Sequence, residues 1–242
     1  MEKMRVFAIG DMHLEGGTGK TMDRFGDNWR DHDKKIFESW DRLGRDDDLL
    51  LIAGDTTWAM RIEEALPDLE RIGRMKGRKL LLKGNHDYWW QSESKMAKLL
   101  PPSIRILNAS SVIENRVAIA GTRGWICPGD SDFSEHDSKI YEREVGRLRA
   151  ALHSLRGRER EYDSLIVALH YPPMNEKHDT SGFTELIDEH RADFCVYGHV
   201  HGEYIKSAFT GERGQTVYSL VSADAVDFTP ARIKIDDIRR GG

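Results

Sequence analysis

One pattern constrains this chain more than any other: a short apolar run that stops at a polar turn, and that recurs. Leu80–Asp87 reads LLLKGNHD. Three leucines after Lys79 predict a strand buried on both faces, as in the middle of a sheet covered by helices. Gly84 ends it and permits a close turn. Asn85, His86 and Asp87 then fall at the carboxyl end of the strand, where open α/β sheets place their chemistry. Arg5–Gly10 (RVFAIG) runs likewise into Asp11-Met12-His13, and Leu49–Ala53 (LLLIA) into Gly54-Asp55. Leu165–Leu169 (LIVAL) ends in His170, and Phe194–Tyr197 (FCVY) in Gly198-His199-Val200-His201. Each case alone has an ordinary explanation. Asn and Asp form turns, and a lone His at a strand end is more often a surface or satisfied residue. Five such strands in succession point to an α/β fold that delivers carboxylates and imidazoles to one place.

The segments between them fit that fold. Asp31–Leu43 carries Ile36, Phe37, Trp40 and Leu43 at helical spacing, and Ile62–Met75 is also helical, with Pro67 expected to open a turn or a kink. Asp46-Asp47-Asp48 is expected to be a solvated lead-in to the next strand. Gln91–Leu100 predicts a short helix stopped by Pro101-Pro102, and Ser138–Leu155 and Phe183–His190 predict two more. Ile104–Leu107, Ser111–Glu114 and Arg116–Ala120 are β-like, the last two joined in a hairpin at Glu114-Asn115-Arg116. Further strands are expected at Tyr204–Phe209, Thr216–Val221 and Arg232–Ile235. Glu15–Arg30 and Thr122–Asp137 predict long irregular loops, both placed to act as flaps. The stretch Gly16–Thr21 is not a P-loop, because GxxxxGK needs glycine where Leu14 stands and no helix pattern follows. Asp11 and His13 point the same way if the chain stays extended there.

Composition sets outer limits. The 242 residues suffice for one sizeable α/β domain, expected over 1–242, and 39% hydrophobic content can fill its core. A net charge of −5 argues against a dedicated duplex-DNA binder. Cys127 and Cys195 are far apart and predict free thiols in a reducing compartment. No stretch has transmembrane length. The N-terminus lacks the pattern of a signal peptide, so a cytoplasmic protein without a membrane partner is expected. Nothing in the sequence indicates an oligomeric state.

The polar residues at the strand ends suit metal ions. Carboxylates with imidazoles favour Mn, Fe or Zn, and the set contains no cysteine, against a structural thiolate zinc site. Asp11, His13, Asp55, Asn85, His170, His199 and His201 are too many ligands for one ion and about right for two. Two such ions can hold a bridging hydroxide and clamp the oxygens of a phosphoryl displacement.

The order Asp-x-His, Gly-Asp, Gly-Asn-His-Asp, His, Gly-His-x-His resembles the calcineurin-like metallophosphoesterases, from Asp11 to His201. The likeness is to a small, single-domain, bacterial-type member. It implies a four-layer sandwich of two mixed β-sheets flanked by helices, with a dinuclear metal site at the strand ends. It implies that Asp11, His13 and His201 hold one divalent ion and that Asn85, His170 and His199 hold the other. Asp55 would bridge them. His86 would be the general acid or transition-state stabiliser. Two ions (Mn, Fe or Zn, with manganese favoured for activity in vitro) would serve hydrolysis of a phosphate mono- or diester, on a small or nucleotide-like substrate. A nuclease acting on single-stranded nucleic acid is the alternative within the superfamily. A non-catalytic metal-binding scaffold is disfavoured, because all seven ligand positions and His86 are filled. The sequence departs from the protein phosphatases of the group. They carry an Asp three residues after the bridging Asp, to orient the catalytic His; here that position is Trp58, and the Arg that follows in them is missing too. Asp224 is the substitute considered for orienting His86. Arg123 is a candidate phosphate clamp. Trp58 and Trp125, with Trp89 and Trp90, either line a substrate pocket or pack the loops onto the core.

Overall fold

The computed structural model describes residues 4–235. In chain order it contains β1 (Val6–Ile9), α1 (His32–Leu43), β2 (Leu49–Ile52), α2 (Ile62–Gly73), β3 (Arg78–Leu82), α3 (Glu93–Leu99), β4 (Ile104–Leu107), β5 (Ser110–Glu114) and β6 (Val117–Thr122). Then follow α4 (Glu135–His153), β7 (Ser164–Leu169), α5 (Gly182–Glu189), β8 (Phe194–Tyr197), β9 (Gly211–Arg213), β10 (Thr216–Leu220) and β11 (Ala231–Ile233).

Side chains that alternate in and out along each strand explain the layering. In the first sheet, of order β11-β1-β2-β3-β4, Phe7, Ile9, Leu50, Ile52 and Leu81 face outward. They pack under Ile36 and Trp40 of α1 and Ala65, Leu69 and Ile72 of α2. Their neighbours Val6, Ala8, Leu49, Leu51, Leu80 and Leu82 face the other way. There they meet Val117, Ile119, Ile166, Ala168, Phe194 and Val196 of the second sheet, of order β5-β6-β7-β8-β10-β9. The second sheet's outer face, with Ala120, Val167 and Tyr197, is covered by Leu148 and Leu152 of α4 and by Phe183 and Ile187 of α5. Helix, sheet, sheet and helix thus stack in four layers. Each fully buried Leu or Ile contributes roughly 1.5–3 kcal/mol, so both faces of the central strands are held apolar.

Both sheets are mixed: β11 runs antiparallel to β1, β5 to β6, and β9 to β10, and the central strands are parallel. Parallel β1, β2 and β3 therefore end at one edge of their sheet, as β7 and β8 do in theirs. The predicted hairpin is present, with Asn115 and Arg116 both at positive φ (44° and 68°), the backbone of a tight two-residue β-turn. Among the described residues, no helix is long and apolar enough to cross a membrane.

Four expectations need correction. Tyr204–Phe209 is not a strand: Gly202–Ser207 forms a 3-10 helix, because the Gly202 N–H is captured by Asp224 Oδ2 and turns the chain away from the sheet. Asp48 is not solvated; it is buried, pairs with Arg5 and accepts the Arg45 N–H. Pro67 opens no turn, since helix α2 continues through it. The chain at Asp11 and His13 is not extended, since φ is 54° and 43°. The Glu15–Arg30 loop carries two single-turn 3-10 segments, Asp23–Phe25 and Asp27–Trp29.

Candidate metal centre

The strand ends of both sheets meet. Asp11 and His13 follow β1, Asp55 follows β2, Asn85 and His86 follow β3, His170 follows β7, and His199 and His201 follow β8. Asp11, His13, Asp55 and His170 are almost fully buried. Ligand atoms of Asp11, His13 and His201 lie within 4.8 Å of one another, as do those of Asp11, Asp55 and His170. Asn85 Oδ1 lies 2.6 Å from His170 Nε2 and 3.0 Å from His199 Nδ1. All seven residues singled out as ligands are in one cluster.

The backbone there is strained in a consistent way. Asp11, His13, Asp55 and His199 all have positive φ (54°, 43°, 50° and 72°). Such conformations in non-glycine residues cost of order 1–3 kcal/mol and concentrate at functional sites. Two glycines allow the close approach: a Cβ on Gly84 would sit 2.0 Å from Asp55 Oδ1, and one on Gly198 2.3 Å from Asp11 Oδ2.

Fixed partners orient most of the donors. Asp11 Oδ2 accepts the His199 N–H at 2.9 Å, linking the two sheets. Asp55 Oδ1 accepts the His86 N–H at 2.8 Å, which leaves Oδ2 facing His170 Nε2 at 3.7 Å and His13 Nε2 at 3.9 Å. His170 Nδ1 donates to the Ala53 carbonyl at 3.0 Å. Burial, first of all, holds the His170 pKa below its usual value, so the ring is neutral and its Nε2 presents a lone pair. That lone pair points at Asn85 Oδ1, itself an acceptor. Asp11 Oδ1 and His13 Nδ1 are buried with no hydrogen-bond partner. A buried polar atom left unmatched costs about 1–3 kcal/mol. A divalent cation would satisfy the facing lone pairs of His170 Nε2 and Asn85 Oδ1, and the mixed oxygen and imidazole donor set suits one.

Electrostatics follow burial and crowding. Burial raises the Asp55 carboxyl well above its ordinary value, and the charges of Asp87 and Asp11 push the same way. Burial would also raise Asp11, but His201, His170 and His13 outweigh it and hold Asp11 low. Burial lowers His13 strongly and brings His199 down to about 3. His201 differs: burial lowers it, yet Asp11 and Asp224 prevail and raise it to about 10.

Asp224 does not orient His86. Its Oδ1 is 2.8 Å from His201 Nδ1, which turns His201 Nε2 toward Asp11 Oδ1 at 3.3 Å. Asp224 comes from the segment just after β10, beside β8, and so reaches the residue that follows β8. His86 is half-buried. Its ring lies 4.9 Å from Trp58 and 6.2 Å from Tyr88, and among the described residues no carboxylate is hydrogen-bonded to the ring, the Asp55 bond being to the backbone N–H. Asp87 is a brace, not a donor to the centre. It accepts N–H bonds from Gly84, Asp55, Thr56 and the Trp89 indole, pinning the turn after β2 to the turn after β3.

Trp58 stacks on His13 with ring centroids 4.5 Å apart and planes at 16°, and Lys20 lies over its outer face. Trp125 packs on Tyr171 at 4.9 Å, and Tyr171 in turn covers His199 at 4.1 Å. The Arg123 guanidinium lies over Trp125 and 3.8 Å from buried Glu144, and the Arg123 carbonyl accepts the His170 N–H at 3.0 Å. Three participants carried no recognised sequence signal as site residues: Asp224 in its actual role, Tyr171, and Trp29, which sits 5.6 Å from His201 and 6.2 Å from His13. Asp224 was within reach, because the strand-then-polar rule applied once more, after Thr216–Val221, leads to it.

A sandwich of two mixed sheets with an Asp/His cluster across their strand ends defines a metallohydrolase class. The family model for calcineurin-like phosphoesterases matches residues 4–203, and the chain belongs to that family. Membership implies metal-dependent hydrolysis of phosphoester bonds. Among solved structures, the phosphopantetheinyl hydrolase of Mycobacterium tuberculosis superposes with a TM-score of 0.61 at 15% identity, covering 99% of each chain. The TT1561 protein of Thermus thermophilus gives 0.58 at 13% identity, covering 97% of this chain and 100% of the other. A protein of unknown function from Aquifex aeolicus gives 0.51 at 14%, covering 95% and 96%. At these identities the likeness is one of fold. No curated protein matches the sequence.

Proposed function

We propose that residues 1–242 act as one catalytic domain, a phosphoesterase that uses two divalent ions on a small phosphate ester. Asp11, His13 and His201 would hold one ion and Asn85, His170 and His199 the other, with Asp55 available to both. The observation that carries this reading is the convergence of carboxylate, imidazole and amide groups from both sheets, with His170 Nε2 and His199 Nδ1 both facing the acceptor Asn85 Oδ1. Bound ions would neutralise phosphate oxygens and make water nucleophilic near neutral pH. The chain supplies orientation. Ala53 fixes the His170 tautomer, Asp224 aims His201, and Asp87 holds the turn that carries Asp55. His86 stands beside the cluster as the residue that assists the leaving oxygen. Its pKa is lowered, by burial first and by His170 next. It is placed to donate an N–H to the leaving oxygen, as general acid or as stabiliser of the developing charge. The unpaired, buried Cys127 and Cys195 support a cytoplasmic setting.

Turnover of p-nitrophenyl phosphate and bis-p-nitrophenyl phosphate, with manganese added and then chelated, tests the reading. Metal-dependent release of p-nitrophenol is expected, and the ratio of the two rates assigns monoester or diester preference. Equal rates with and without chelator, or a chain that binds no divalent ion, would refute it.

A further inference from the structure

A cavity of about 620 Å³ adjoins the cluster, and His199 and His201 form part of its wall. This is the size of sites that enclose a small organic molecule. Its inner surface is apolar: Pro172, Met174, Tyr197, Val200, Ala208 and Phe209. The wall is preformed. Phe209 is fixed by its carbonyl, which accepts the Tyr197 hydroxyl at 2.5 Å, and its ring packs against His178 and Tyr218. His178 Nε2 donates to the Ser207 carbonyl at 2.8 Å, tying the 3-10 segment to the loop after β7. Asp130 accepts the N–H groups of Cys127 and Glu176 and joins that loop to the one after β6.

Carboxylates are the main charges lining the cavity, beside His201, whose pKa is raised to about 10. Asp130, Asp132 and Glu176 line it, and among the described lining residues there is no Lys or Arg. Tyr204, 68% exposed, adds an aromatic face among the lining residues. Arg213 hydrogen-bonds the lining residues Met174 and His178 from behind the wall, and Lys20 lies over Trp58 beside His13 and His86. A phosphoryl group at the cluster would leave a second anion of the same ligand facing the carboxylates of Asp132 and Glu176, where like charge disfavours it.

We propose that this cavity receives the organic group of the phosphoester, and that this group is apolar and bears no anionic charge of its own. The assignment rests on the phosphoesterase reading above. It disfavours oligonucleotides and nucleoside polyphosphates, which would bring further phosphates against Asp132 and Glu176.

The test uses the full chain loaded with manganese. Phenyl phosphate, 4-(aminomethyl)phenyl phosphate and 4-carboxyphenyl phosphate are compared by kcat/KM, and the matching benzylphosphonates by calorimetric affinity. The carboxylate-bearing member should be disfavoured on the order of tenfold at low ionic strength. Replacing both rim acids (Asp132→Lys with Glu176→Lys) should abolish that gap. Ala208→Trp should raise KM for 2-naphthyl phosphate about tenfold more than it raises KM for phenyl phosphate, because the larger ring needs more of the pocket. Normal turnover with no discrimination in the series, or none of these variant effects, would overturn the cavity assignment alone. No turnover and no phosphonate binding would overturn both readings. Charge-selective phosphonate binding without turnover would support the cavity and remove the catalytic claim.

Discussion

The metal centre and the cavity beside it share two histidines and are built by opposite means. In the centre most donors are held from behind by an element of the sheets. Asp11 is tied to the His199 amide, His170 to the Ala53 carbonyl, and Asp55 to the turn that Asp87 braces. The cavity wall is made of loops after β6, β7 and β8, tied mainly to one another, with exposed Asp132, Glu176 and Tyr204 lining it. The centre is over-determined and strained; the wall is locally stitched and open to change. On the proposed reading, the strand ends set the reaction type and the loops the substrate choice, the division that lets one fold serve many substrates.

If that division is right, changes in the centre should remove chemistry outright. Asp55→Ala, the most damaging, should strip metal from the protein and abolish turnover; retention of both ions by metal analysis would break the bridging assignment. His86→Ala should behave differently, keeping full metal content while kcat falls about 10²–10⁴-fold, the range for a positioned proton donor. Loss of metal in that variant would place His86 inside the donor set instead of beside it.

The same contrast governs what could be read in the sequence. The layers and all seven clustered residues were legible, because period-two apolar strands ending in Gly-Asp, Gly-Asn-His-Asp or Gly-His-x-His are local signals. Asp224 was misassigned to His86 because pairing after β10 depends on sheet order, and β10 lies next to β8, not β3. Tyr204–Phe209 looked like a strand, since its alternation is visible locally and the capture of the Gly202 N–H by a residue 22 positions away is not. Asp48 was placed in solvent for a similar reason: its partner Arg5 is 43 residues distant. The cavity wall gave no motif at all, because apolar side chains from three loops become one surface only after folding.

Smaller effects test the braces. Asp224→Asn keeps the shape of the carboxylate but not its charge, and should weaken metal binding about 10–100-fold, the usual effect of losing a carboxylate behind a ligating His. Affinity unchanged in a competition titration would make Asp224 a simple cap on Gly202.

The same residue predicts a pH effect on the chelated protein. Burial disfavours the His201 imidazolium, but Asp11 and Asp224 overcome this and lift its pKa from 6.5 to about 10. Between those values the folded chain binds a proton that the unfolded chain does not. Stability from this group is therefore complete below about pH 6.5 and is lost as pH rises through about 10. His13, His170 and His199 are shifted downward, so above pH 6.5 they are neutral in both states and add no slope. In Asp224→Asn the His201 shift shrinks, so its stability deficit relative to the parent should be largest near pH 6.5 and narrow toward pH 9.5. Urea midpoints measured in chelator across that range read this directly. A deficit that stays constant with pH would show that Asp224 supports the centre through its hydrogen bonds alone and that its charge does not matter.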